Sequence, residues 1–206
     1  MVRRTKEEAQ ATRKLILDTA EVVFHEHGVS RSTLNDIAQA AGLTRGAIYW
    51  HFKDKADLFN AMMERVTLPL EQTAHRSDDD SLEDPIAYMR TSFLQALRLT
   101  AGDPQVRRVF EIATHKVEYV DELKAVRDRH LATRDECLLH AQRGITLAMR
   151  RGQLPRRIPA RAAALGLHAL IDGLIQNWML APEAFDLVKT GQQVLDAYLA
   201  GLAVPK

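Results

Sequence analysis

Cysteine is almost missing: one residue in 206. That excludes an intrachain disulfide framework and a multi-cysteine zinc or iron–sulfur site, and it suits a reducing cytosol. Glycine and proline are sparse, at 10 and 7 residues, and aromatic residues reach only 6%. A turn-rich all-β chain would carry more of each. No long hydrophobic run is present. The most apolar stretch, Ala162 to Ile171, is broken by His168 and stopped by Asp172, too short to span a bilayer. The charged, polar segment Met1 to Lys14 does not read as a signal peptide, so the expected location is the cytoplasm, with no membrane partner. Neither sign of charge dominates, with 28 basic and 27 acidic residues.

The chain does contain 46% hydrophobic and 27% charged residues, a globular balance that fits one or two domains with a sizeable core. The small charge excess is local. Residues 1–55 carry nine basic and seven acidic side chains, and five of those bases fall in residues 1–14. An N-terminal arm facing phosphates is compatible with this, as is a solvated helix start.

The patterning is helical throughout, and the expected fold class is all-α. Ile16, Ala20, Val23 and Phe24 share one helical face, and Gly28 is placed to end that helix. Leu34, Ile37, Ala38 and Ala41 repeat the pattern, with Ser32 or Thr33 as N-cap. Thr44 is the expected cap of a short helix Arg45–His51, and Asp54 of the next. Residues 77–81 (SDDDS) read as a loop, and Asp84-Pro85 and Asp103-Pro104 as helix starts. A long helical pattern follows from about His115 to Arg151, closed by Gly152. Ala160–Met179 and the last helix are apolar on nearly every side, which calls for cover by a partner subunit, a two-fold four-helix interface.

The stretch that carries chemistry is residues 33–52, TLNDIAQAAGLTRGAIYWHF. It reads as helix, glycine turn at Gly42, helix. Ile48 and Phe52 point inward, leaving Thr44, Arg45, Gly46, Ala47, Tyr49, Trp50 and His51 outward or at the start. A recognition helix reads bases with its N-terminal residues. Arg45 can fork to guanine or hold a phosphate. Thr44 and Tyr49 hydroxyls can bond phosphate oxygens, and Gly46 and Ala47 remove bulk at the groove. Lys55 can add charge beside amides that face a phosphate. Arg3, Arg4 and Lys6 can track the backbone or enter the minor groove. A two-helix unit with a glycine turn also occurs in helical proteins that bind no DNA, but the exposed Tyr-Trp-His cluster beside Arg45 needs a reason.

RKLILDTA (residues 13–20), Phe24, Gly28, Thr33, Ile37, Ala38, Ala41, Gly42 and above all TRGAIYWHFKDKADLF (44–59) resemble the TetR family of bacterial transcriptional regulators. MVRRTKEEAQATR, HKVEYVDEL and DGLIQNWMLAPEAFDL resemble, more narrowly, the AcrR-type repressors of multidrug efflux pumps. The resemblance implies a homodimer through the last two helices. It implies a DNA-binding helix-turn-helix domain, placed at 1–54 with Thr33 among its contact residues, and a ligand-binding and dimerisation domain at 55–206. It further implies a repressor that binds double-stranded operator DNA and is released by small hydrophobic ligands such as antibiotics and phenolics, controlling a pump operon and its own gene. The ligand pocket it implies draws on the middle and penultimate helices, here Met89, Phe93, Phe110, Thr114, Cys137, Ile171, Asp172 and Gln176. Phe110 and Thr114 stand where some relatives carry polar residues. Asp172, a carboxylate amid Leu170, Ile171, Gly173 and Leu174, must be paired, solvated or used.

A regulator that senses no ligand is the alternative. Cys137 and His140 could form a thiol–imidazole pair at i, i+3, but no Gly-rich oxyanion turn accompanies them. The eight histidines give no i, i+4 pair for a metal. There is neither a phosphate loop nor a dinucleotide fingerprint. Neither an enzyme nor a cofactor is expected.

Overall fold

The computed structural model describes residues 6–75, 81–118 and 120–203. Arg3 and Arg4, and residues 77–80 of the expected loop 77–81, lie outside these. Among the described residues there are nine α-helices and no strand: α1 Lys6–His27, α2 Leu34–Ala40, α3 Arg45–His51, α4 Lys55–His75, α5 Pro85–Gly102, α6 Pro104–His115, α7 Lys124–Arg150, α8 Ala160–Leu180 and α9 Leu187–Ala203.

Local chemistry sets the boundaries. Thr33 and Thr44 cap α2 and α3 from extended backbone. The Asp54 carboxylate accepts from the Asp57 amide at 2.8 Å at the start of α4, and Asp84 caps α5 ahead of Pro85. Gly42 adopts φ +65°, a conformation that costs a side-chain-bearing residue about 1–2 kcal/mol. It lets the Leu43 amide reach back to the Ala38 carbonyl at 2.8 Å and so close α2. The expected continuous helix from His115 to Arg151 is corrected: α6 ends at His115, and a 3-10 turn at Asp121–Leu123 precedes α7. The Lys116 carbonyl turns to accept the Val29 amide at 2.9 Å, and Leu123 is fully buried. Tertiary bonding wins over the helical periodicity there.

Two compact units emerge. The first holds the described residues up to Val66 together with Arg108–His130. It includes the region expected as the DNA-binding domain and extends past residue 54. Its core is Ile16, Leu17, Ala20 and Phe24 of α1, Ile37 of α2, Ile48 of α3, and Leu58, Phe59 and Met62 of α4. The rings of Phe24 and Phe59 lie 6.2 Å apart. Glu21 is buried in this core and pairs with Arg65, which also meets Asp18 at 2.6 Å. A buried charge tolerates such a site only with its partner present; removing one member of such a pair costs about 3–5 kcal/mol.

The second unit holds the described residues of 67–107 and 131–206. Here α9 packs on α5 and on α8. Gly191 makes this approach possible, because a Cβ there would overlap the Leu97 side chain. Arg90 of α5 forks onto Asp196 of α9 at 2.5 and 2.9 Å, and the Tyr198 hydroxyl donates to the Ala163 carbonyl of α8 at 2.8 Å. Burial raises the Tyr198 phenol above its ordinary range.

Gly191→Val should destabilise the protein by about 1–3 kcal/mol through overpacking against Leu97, read as a lower thermal midpoint. The carboxylates add a pH dependence. The Arg90 hydrogen bonds lower the Asp196 carboxyl, and the Thr33 hydroxyl and amide lower that of Asp36. Carboxylates lowered by folding contribute stability that is present above the ordinary carboxylate range and is lost as pH falls through their depressed values. The urea midpoint should therefore drop in that acid window, and less steeply in Asp196→Asn.

Candidate nucleic-acid interface

The helix α3 is positioned by what it buries. Ile48 and the following Phe52 are sealed into the first unit, at 0% and 1% exposure. Anchoring these two turns the remaining face of α3 outward. Trp50 is 71% exposed and Tyr49 46%; Arg45 and Gly46 are exposed as well, with Ala47 half-buried. The Arg45 guanidinium lies 5.4 Å over the Tyr49 ring, which holds the cation at the surface by cation–π attraction. His51 is half-buried and meets the Trp50 ring edge-on at 4.5 Å. At Gly46, nothing among the described residues occupies the space that a Cβ would take. The small residue is thus not needed for internal packing, which leaves room for an external surface to come close.

The two threonines act first as caps. Thr44 Oγ accepts from the Ala47 amide at 3.2 Å, and its own hydroxyl proton remains available to donate to a phosphate oxygen. Thr33 differs: its hydroxyl donates to the Asp36 carboxylate at 2.7 Å while accepting the Asp36 amide at 3.2 Å. Its proton is committed to the capping box. Lys6 is exposed at the first position of α1.

Lys55 corrects the expectation placed on it. It is 6% exposed. Its ammonium donates to the Ser32 carbonyl at 2.9 Å and the Ser30 carbonyl at 3.2 Å, and pairs with Glu122 at 3.2 Å. The charge faces inward onto the turn between α1 and α2 and is not presented to a phosphate. The pattern held the clue, since Leu58, Phe59 and Met62 at i+3, i+4 and i+7 are all buried and put Lys55 on the inward face. Arg13 is a residue that the sequence reading did not select. Its guanidinium covers the Phe52 ring at 5.0 Å, next to the end of α3, a contact between two helices that no local pattern announces.

This geometry, an outward Arg–Tyr–Trp face on the second helix of a glycine-turned pair, agrees with comparisons to known proteins. Residues 16–62 match the family model described as bacterial regulatory proteins, tetR family. Residues 84–204 match the C-terminal region of MAATS-type transcriptional repressors. The chain belongs to the TetR family. It is 42% identical to the HTH-type transcriptional regulator TtgR of Pseudomonas putida, over 97% of this chain and 95% of that one. NalD, the secondary repressor of the MexAB-OprM multidrug efflux pump in Pseudomonas aeruginosa, superposes with a TM-score of 0.85 at 35% identity, covering 95% and 97% of the two chains. SmeT, the repressor of the SmeDEF pump of Stenotrophomonas maltophilia, has been solved with triclosan; that complex matches with a TM-score of 0.87 at 35% identity, covering 95% and 93%.

The residues expected at a TetR ligand pocket are distributed over both units. Phe110 and Thr114 belong to the first, the other six to the second. Within the second unit, α5 packs on α8. Met89 of α5 and Ile171 of α8 are buried, and Phe93 and Cys137 are half-buried. Asp172 and Gln176 are exposed, and Gln176 donates to the Asp172 carboxylate at 2.7 Å. The carboxylate is therefore both paired and solvated. No helix among the described residues is long and apolar enough to cross a membrane.

Lys55→Met should leave the Ser30 and Ser32 carbonyls and Glu122 without their donor, costing about 1–3 kcal/mol for each buried acceptor. Urea unfolding checks this: a large drop in midpoint is expected. An unchanged midpoint with a selective loss of DNA affinity would return Lys55 to the phosphate-contacting set.

Proposed function

We propose that the chain is a ligand-released repressor of a multidrug efflux operon and of its own gene, acting in the cytoplasm as a homodimer. The observation that carries the reading is the outward face of α3, where Arg45, Tyr49 and Trp50 stand exposed on a helix fixed from behind by Ile48 and Phe52. Arg45 and Trp50 read the major groove, with Thr44, Tyr49 and Lys6 on phosphates, and with Gly46 and Ala47 letting the helix backbone approach. Arg3 and Arg4 extend the phosphate track. A dimer through α8 and α9 presents two such helices to half-sites about one helical turn, roughly 34 Å, or more apart. Leu165 and Leu180, which are exposed on α8 in the single chain, supply apolar surface for that contact. Relatives named as efflux-pump repressors support the target, and the SmeT–triclosan complex supports a small hydrophobic effector.

Release works through geometry. The effector binds in the second unit among Met89, Phe93, Cys137 and Ile171, with Asp172 and Gln176 at its polar margin. It favours a conformation in which the two recognition helices no longer match successive grooves, and DNA affinity falls.

Fluorescence anisotropy against DNA from directly upstream of the gene tests the reading, with a panel of hydrophobic antibiotics and plant phenolics. Tight binding over a scrambled control, lost on adding at least one compound, is the expected result. Binding that no compound disturbs would make the protein a constitutive regulator. Arg45→Ala should weaken operator binding and relax preference at one base position by about 1–3 kcal/mol. A uniform loss across all sequences would instead make Arg45 a phosphate clamp.

A further inference from the structure

Between Glu136 and Asp172 the sequence holds six arginines, at 143, 150, 151, 156, 157 and 161, and no carboxylate. Five of the six fall in residues 150–161, the corner where α7 ends and α8 begins. The fold gathers three of them around a depression of about 460 Å³, lined by Arg150, Arg156 and Arg157 together with Thr146, Met149 and Ile158. Charges of one sign brought this close repel one another, and among the described residues no ion pair engages Arg150, Arg156 or Arg157. Arg157 is steadied by donating to the Gly201 carbonyl at 3.0 Å. Pro159 and Ala160 complete the wall, and Pro159 offers no side-chain cap to the 21-residue helix α8. The first-turn amides of that helix therefore add positive potential to the same place.

We infer that this corner is a binding site for a small anion carrying two or more phosphate groups. The depression is small-ligand sized, within the range of about 300–1,000 Å³ typical of such sites. Arginine forks match phosphate oxygens in pairs. A concave wall with three arginines suits a compact polyanion better than the flat contact of a membrane or a duplex. The depression shares no lining residue with α3 or with the residues assigned to the hydrophobic effector, and a bound polyanion relieves the repulsion among the arginines.

Inorganic triphosphate is the probe, added without divalent cations to the full-length protein. The thermal midpoint should rise with the logarithm of its concentration, and the phosphorus-31 lines of triphosphate should broaden. Both effects should persist in Arg45→Ala. In Arg150→Gln/Arg156→Gln the apparent dissociation constant should rise at least about tenfold, as expected for lost charge-assisted bonds, with operator affinity unchanged. The corresponding double lysine variant keeps the charge and loses the fork, and should bind at an intermediate level. Line broadening does not depend on stability, so it decides the matter if the glutamine variant folds poorly, with the lysine variant as comparison. The inference is overturned if sodium chloride of equal ionic strength gives the same midpoint shift, or if the effects vanish in Arg45→Ala. It is also overturned if the glutamine variant loses affinity for duplex DNA or anionic vesicles while its response to triphosphate is intact.

Discussion

The buried ammonium of Lys55 holds the reading head together. A desolvated charge needs its donors satisfied, and this one is met by the Ser30 and Ser32 carbonyls and by Glu122. The acceptors come from separate parts of the chain. Ser30 and Ser32 form the turn that leads into α2, and Thr33, the cap of α2, follows directly. Glu122 sits in the 3-10 turn ahead of α7. A parallel bond from the Val29 amide to the Lys116 carbonyl ties the same two regions. The placement of α2, and through the Gly42 turn that of α3, thus depends on a segment distant in sequence.

That dependence gives the proposed release a physical route. The segment between α6 and α7 is bonded to the α1–α2 turn, and α4, α6 and α7 each contribute residues to both compact units. His25 of α1 meets Glu111 of α6 at 3.2 Å, and Glu64 of α4 meets Arg129 of α7 at 2.6 Å. An effector that shifts the preferred position of α6 or α7 acts on bonds that set α3. These ties are polar and directional, so they favour discrete arrangements over gradual deformation.

Helix limits governed by local chemistry were legible in the sequence. Thr33, Thr44, Asp84, Gly42 and Gly152 act as their side chains and backbone freedom dictate, and Ile48 and Phe52 fall on the inward face that their spacing implies. Features decided by distant partners were not. The break after His115 follows from the Lys116–Val29 bond and the burial of Leu123, which no helical periodicity encodes. The spacing to Leu58, Phe59 and Met62 puts Lys55 on the inward side of α4, but its acceptors come from other parts of the chain and no local pattern names them. Asp172 lies in an apolar run, yet it is on the exposed side of α8 and bonded to Gln176, an i+4 pairing that spacing alone allows without requiring.

The most direct measurement is calorimetric titration of a releasing compound into the protein, free and saturated with operator DNA. If DNA reading and effector binding are linked, operator should weaken the compound by the same factor by which the compound weakens operator. Equal compound affinity with and without DNA would contradict the account. Any loss of DNA binding seen with the compound would then come from its action on the DNA or from unfolding of the protein, and the coupling described here would not operate.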